Sequence, residues 1–161
     1  MRVFIPVTRS GLREMVKSGG LGPAPLVGYA VTPALREWYA SGDEEELEYA
    51  AMTVAARDSL ELIAAGQNEP ARRLVVAVDA PHATPDASVG TAAVVIPEVV
   101  ALRDVVAVHA DTSDAEADVA AAVAVLRDGG PHDDDQEFVV SAVEAHELAW
   151  FATQEVGELL G

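Results

Sequence analysis

The sequence predicts an α/β or α+β fold, in which one mixed β-sheet is layered against helices. Short apolar runs rich in Val, Ile and Ala alternate with segments of helical periodicity, and three such runs follow one another in the middle of the chain. Half of the 161 residues are hydrophobic. That content is sufficient for one aliphatic core, so we expect residues 1–161 to form a single globular domain.

The first part of the chain predicts two strands separated by a helix and a loop. Residues 3–7 and 26–31 are apolar runs of strand length. Ser10 can cap a helix over residues 11–18. The Gly and Pro residues of 18–25 predict a loop, because neither residue type sustains a helix or a strand.

A pair of helices is predicted over residues 33–66, and we expect it to pack on one face of the sheet. Thr32 is a typical N-cap residue for the first helix. Ser41 or Asp43 can cap the second, and three carboxylates then follow in its first turn, where the helix dipole is positive. This acidic run is therefore typical of a helix start.

The rest of the chain predicts four strands and two or three helices. The most apolar runs predict strands over 72–80, 91–97, 104–111 and 147–152. A helix is predicted from 112 or 113 to Gly129, and a short one after Thr153. Residues 137–146 fit a helix and a strand equally well, so their state is left open.

Charge is the strongest compositional feature, with 27 acidic residues against 10 Lys and Arg and a net charge of −17. Residues 1–42 carry a net +3, and residues 43–161 a net −20. Such a field repels nucleic acid and anionic membranes and favours cationic partners. We expect a basic protein partner or self-association. The short apolar start and the absence of a membrane-length apolar run predict a cytoplasmic protein.

Several classes of chemistry have no support in the sequence. The chain has no cysteine, which excludes disulfides and thiolate sites. It contains no phosphate-binding glycine loop and no G-x-S-x-G nucleophile turn. The turn over residues 8–11 could hold an anion on its backbone N–H groups, as most strand-to-helix turns could. No cofactor and no catalytic residue are therefore assigned.

Three stretches of the sequence resemble an uncharacterised family of actinobacterial proteins, classed as a domain of unknown function. They are MRVFIPVT, VTPALREWYASGDEEELEYAAM and HELAWFATQE. The resemblance covers essentially the whole chain. It implies an actinobacterial cytoplasmic protein and carries no known activity, cofactor or catalytic residue.

A non-enzymatic interaction or regulatory protein is the function that the sequence favours. Large aromatic side chains lie close to acidic residues, a combination that suits an interface with an arginine-rich partner. The candidate partner-binding residues are Trp38, Tyr39, Glu44, Glu45, Glu48 and Trp150.

The alternative is a small metal-assisted hydrolase. His109 and Asp111 are two residues apart at a strand end, and His146 and Glu147 open the last predicted strand. If the two strand ends meet, two imidazoles and two carboxylates could bind zinc or iron. The pair at 146–147 lacks the second histidine of a zincin helix.

Overall fold

Nine strands and six α-helices make up the protein, described over residues 1–161 by a computed structural model. The strands are β1 (Arg2–Val7), β2 (Gly20–Leu21), β3 (Leu26–Tyr29), β4 (Leu74–Asp79), β5 (Thr84–Pro85), β6 (Ala93–Ile96), β7 (Val100–Ala101), β8 (Val105–Ala110) and β9 (Ala149–Ala152). The helices are α1 (Arg9–Ser18), α2 (Pro33–Trp38), α3 (Glu44–Ala65), α4 (Glu116–Arg127), α5 (Asp134–Ala142) and α6 (Val156–Leu160). Single 3₁₀ turns span Leu102–Asp104, Ser113–Ala115, Val143–Ala145 and Thr153–Glu155.

Seven strands form one sheet in the order β5-β6-β3-β1-β4-β8-β9, and β2 pairs with β7 in a separate two-stranded ribbon. Every pair of neighbouring strands is antiparallel. The predicted combination of a sheet with packed helices is confirmed. The predicted mixed pairing is wrong, and of the two classes that the sequence allowed, the fold is α+β.

The position of β1 explains why the pairing is not mixed. Helix α3 connects β3 to β4, and these two strands run parallel to each other, as expected for a strand–helix–strand unit. However, β1 lies between them and pairs antiparallel with both. The parallel strands are therefore never neighbours.

One face of the sheet packs against α1, α6 and the ribbon. Leu12 and Met15 of α1 and Leu159 of α6 contact the apolar side chains of this face, among them Val76 and Val108. These side chains belong to alternate residues of the central strands. The residues between them point to the opposite face, so each face of the sheet offers an apolar surface to its own helix layer.

The other face packs against α2 and α3, so the predicted position of the helix pair is confirmed. Leu35 of α2 and Leu47 of α3 join Phe4, Val75 and Ala77 of the sheet in one buried cluster. A third cluster joins the C-terminal half of α3 to α4 and α5. As a result, α4 and α5 lie beside the C-terminal half of α3.

Local chemistry sets most helix starts. Asp43 caps α3 by accepting from the N–H of Glu46 at 2.9 Å, and Thr32 caps α2, as predicted. Thr8 caps α1 in place of the predicted Ser10, and α4 has no side-chain cap. The segment 137–146, which fitted a helix and a strand equally well in the sequence, is helical over most of its length. No helix is both long and apolar enough to cross a membrane.

Candidate functional site

A groove between the N-terminal half of α3 and strands β8 and β9 combines acidic, aromatic and imidazole side chains. Its volume is about 290 Å³. The acidic–aromatic groove, as we call it, is lined by Arg2, Phe4, Glu45, Glu48, Tyr49, Met52, Ala77, Val106, Ala107, His109 and Trp150. The volume is slightly below the roughly 300–1,000 Å³ of typical small-molecule sites, so the groove suits a side chain.

One wall of the groove is a stripe along α3. Glu45, Glu48, Tyr49 and Met52 follow the i, i+3, i+4, i+7 spacing that places residues on one side of a helix. The stripe begins within the first turn, two residues after the Asp43 cap, so the helix start fixes its position. The opposite side of the same turns carries Leu47 and Ala51 into the core.

The floor of the groove is the sheet face below this wall, and small side chains make it deep. Ala77 of β4 pairs with Ala107 of β8, and Phe4 of β1 pairs with Ala77 on the other side. The β4–β8 register then shifts and leaves Val106 unpaired, a bulge that also lines the groove. Two alanines and a bulge therefore leave space where larger side chains would fill it.

Trp150 of β9 forms the outer wall. It is 61% exposed and lies opposite His109 in the β8–β9 pairing. Its neighbour Phe151 points to the other face, where it packs against the α1–α6 side of the sheet. The two side chains therefore alternate across the strand, and the exposed member is the one beside the groove.

The groove carries net negative charge that nothing in the chain neutralises directly. Neither Glu45 nor Glu48 forms an ion pair or a side-chain hydrogen bond. Arg2 is the only Lys or Arg in the lining, and its Nε lies 3.3 Å from Oδ1 of Asp79. Both partners are exposed, so this pair contributes little stability, and in this structure the guanidinium lies beside Asp79 and pairs with neither glutamate.

His109 is half-buried at the floor, and its imidazole has no hydrogen bond within the chain. The ring contacts Phe4 edge to face, with centroids 6.3 Å apart and an interplanar angle of 64°. Burial, and secondarily the positive charge of Arg2, lowers the pKa of His109 below its ordinary value of 6.5. The neutral imidazole therefore prevails at pH 7 and offers one donor and one acceptor nitrogen.

The structure brings together three of the six predicted partner-binding residues. Glu45, Glu48 and Trp150 all line the acidic–aromatic groove. Glu44 instead pairs with Arg36. Both aromatics at the end of α2 are exposed, and neither lines the groove: Trp38 is 74% exposed and Tyr39 lies beside it.

The four predicted metal ligands do not assemble. Asp111 is buried in a salt bridge with Arg73, at 2.7 Å between Nη2 and Oδ1. His146 bonds instead through Nε2 to Oδ2 of Asp118 at 2.7 Å, and Glu147 is exposed. No three His, Asp or Glu side chains in the protein form a group that could hold a metal ion. The two strand ends meet, but Arg73 occupies the place between them.

Two other features could bind ligands, but they present fewer free polar or charged groups than the groove. A larger depression of about 630 Å³ beside α1 is lined largely by glycines and apolar residues, with Glu14 as its one ionisable side chain. The N-terminus of α1, where the sequence allowed an anion, is already in contact with the carboxylate of Glu69, which accepts from the hydroxyl and the N–H of Ser10.

Apart from its small aliphatic side chains, the groove has four members that were not among the predicted site residues: Arg2, Phe4, Tyr49 and Met52. The spacing of Glu45, Glu48, Tyr49 and Met52 is a signal that could have identified the α3 wall. Arg2 and Phe4 belong to a strand that is distant in sequence from α3. No local pattern indicates that β1 lies below this helix.

Comparison with known proteins places the chain in a family without supplying a function. No curated protein matches the chain. No solved structure matches it either. A family model described as a family of unknown function matches residues 1–160, essentially the full length. The chain therefore belongs to this family, DUF6912.

Proposed function

We propose that the protein is a non-enzymatic interaction protein that binds a basic segment of another protein in the acidic–aromatic groove. We also infer an actinobacterial, cytoplasmic protein from the sequence resemblance. The observation that carries the proposal is the convergence of two α3 glutamates, Glu45 and Glu48, with Trp150 from the distant strand β9 around one groove.

The chemistry of the groove supports a cationic ligand. Two carboxylates without ion-pair partners attract a positive charge, and an exposed indole attracts the same charge through its π face. Arg and Lys side chains also have apolar stems that can lie on Ala77 and Met52. A basic peptide segment satisfies all of these groups at once.

The charge of the whole chain supports the same partner. Residues 43–161 carry a net −20, and this charge accelerates the approach of a basic protein at low salt. A second copy of the chain carries the same net charge of −17, so two copies that associate would repel each other electrostatically. A basic partner is therefore favoured over self-association.

Binding of a fluorescent lysine–glycine peptide, followed by anisotropy, tests the proposal. Binding should weaken with salt, because the contacts are exposed charges. The double variant E45Q/E48Q should lose about tenfold in affinity, since two exposed ionic contacts of up to about 1 kcal/mol each are removed. W150A should weaken binding to a similar degree.

Matched controls separate the groove from general charge. E61Q/E116Q changes the net charge by the same amount at two exposed carboxylates outside the groove, and W38A removes an exposed indole elsewhere. Both controls should bind the peptide almost as the natural protein does. Equal losses in the groove variants and the controls, or no binding at low salt, would show that the proposal is wrong.

A further inference from the structure

We propose that the acidic–aromatic groove contains a subsite for one arginine side chain of the partner, in which the guanidinium lies between the α3 carboxylates and Trp150 and donates a hydrogen bond to His109. This inference rests on the proposed function and specifies what the groove selects. It assigns to His109 a role in recognising the ligand.

The first observation is that His109 lacks a partner. The other three histidines each have one: His82 contacts Glu98, His132 the carbonyl of Asp128, and His146 Asp118. The imidazole of His109 lines the groove floor without any hydrogen bond. A ligand that donates a hydrogen bond there would satisfy an acceptor that the chain leaves free.

The second observation is the arrangement of charge and aromatic surface around that nitrogen. Glu45 and Glu48 stand on the α3 side, and Trp150 lies directly opposite His109 on the neighbouring strand. A guanidinium is flat, carries five N–H donors and stacks on aromatic faces, so it can serve all four groups together. An ammonium is a strongly hydrated point charge without a stacking face, and it fits this arrangement less well.

The third observation concerns depth and competition. The short side chains of Ala77 and Ala107 let a flat group reach the floor. The chain's own guanidinium at the groove, that of Arg2, is held near Asp79 and leaves both glutamates unpaired. The charged groups that face His109 are thus Arg2 from β1 and the two glutamates from α3.

Exchange of one central lysine for arginine in the lysine–glycine peptide tests the inference. We expect the arginine peptide to bind the natural protein about tenfold more tightly. A peptide with citrulline at that position keeps the shape and loses the charge, so it should bind more weakly than either. In a W38F background Trp150 is the one remaining tryptophan, and its fluorescence should change on binding.

Variants of His109 separate recognition from folding. H109L removes the acceptor and should abolish the preference for arginine over lysine, while H109Q keeps an acceptor and should retain most of it. Equal affinities of the arginine and lysine peptides for the natural protein would overturn the subsite. If the lysine peptide still depends on Glu45 and Glu48, that result leaves the proposed function intact. Failure of every peptide to bind would overturn both.

Discussion

Asp111 accepts three hydrogen bonds from Arg73: from its backbone N–H at 2.8 Å, from Nε at 3.0 Å and from Nη2 at 2.7 Å. Arg73 is 3% exposed and Asp111 is 1% exposed. Arg73 also donates to the carbonyl of His146 at 2.9 Å. This buried pair therefore joins the start of β4 to the end of β8 and holds the segment that leads into β9 and Trp150.

Replacement of Asp111 by alanine should destabilise the protein strongly. The guanidinium of Arg73 would remain buried without its counter-charge, and loss of one partner of a buried ion pair typically costs 3–5 kcal/mol. The free energy of unfolding, measured by urea denaturation, should fall by about that amount. E147Q, a change at an exposed carboxylate nearby, should have almost no effect.

A double variant tells charge from packing. R73M/D111L removes both charges and keeps apolar volume, so it should be clearly more stable than D111A. If D111A unfolds no more easily than E147Q, the pair does not stabilise the fold as described.

Added Zn²⁺ should leave the melting temperature unchanged. Asp111 already accepts from Arg73, and His146 contacts Asp118, so two of the four predicted ligands have other partners. Binding with a Kd 100-fold below the free zinc concentration would stabilise the fold by about 2.7 kcal/mol, which a thermal melt detects easily. A saturable rise in the melting temperature that is lost in H109Q would show that zinc binds at His109 and would contradict this prediction.

Local chemistry predicted much of the fold but not the pairing of its strands. The caps Thr32 and Asp43 and the acidic first turn of α3 are short-range features, and the sequence shows them directly. The position of β1 between β3 and β4 depends on contacts between residues that are far apart in sequence. Hydrophobic periodicity identifies a buried strand but does not say which strand lies beside it.

The same limit applies to the site. The sequence indicated the neighbouring Glu45 and Glu48 and the distant Trp150, and only the position of β9 beside β8 brings Trp150 to the same groove as the glutamates. The sequence also suggested Asp111 as a metal ligand. Its actual partner, Arg73, lies 38 residues earlier, and no local pattern connects the two residues. The pairing of Leu74 with Ala110 places the two residues together.

His109 should make the protein less stable at mildly acidic pH. Its pKa is lowered in the folded state, so below the ordinary value of 6.5 the unfolded chain binds a proton that the folded protein does not. Stability is therefore lost as the pH falls from about 6.5 towards the folded pKa. H109Q should show a smaller loss in urea denaturation over this interval. H132Q, at an exposed histidine, should show the same pH dependence of stability as the natural protein. If H109Q also shows that same pH dependence, the lowered pKa of His109 is contradicted.

Tyr29 should affect stability on the alkaline side. It donates to Asp58, and burial, with the hydrogen bond and charge of that carboxylate, raises its pKa above the ordinary 10.0. The folded protein thus keeps a proton that the unfolded chain loses, so stability falls as the pH rises above about 10. Y29F should cost roughly 0.5–1.5 kcal/mol near neutral pH and flatten this alkaline loss. The exposed Tyr39 is the control, and a Y39F variant with the same profile as Y29F would refute the assignment.

Arg2 should oppose ligand binding in the acidic–aromatic groove. Its guanidinium lines the groove, repels a cationic peptide and also lowers the pKa of His109. R2Q should therefore strengthen binding of the lysine–glycine peptide by about two- to fivefold, which corresponds to roughly 0.4–1 kcal/mol for one exposed charge. The pKa of His109, followed by NMR, should rise in the same variant because a nearby positive charge has been removed.

R13Q removes an equal charge from α1 on the opposite face of the sheet, so it should change the affinity much less and leave His109 unaffected. Equal gains in the two variants would mean that net charge alone, and no local field in the groove, governs how the protein attracts its partner.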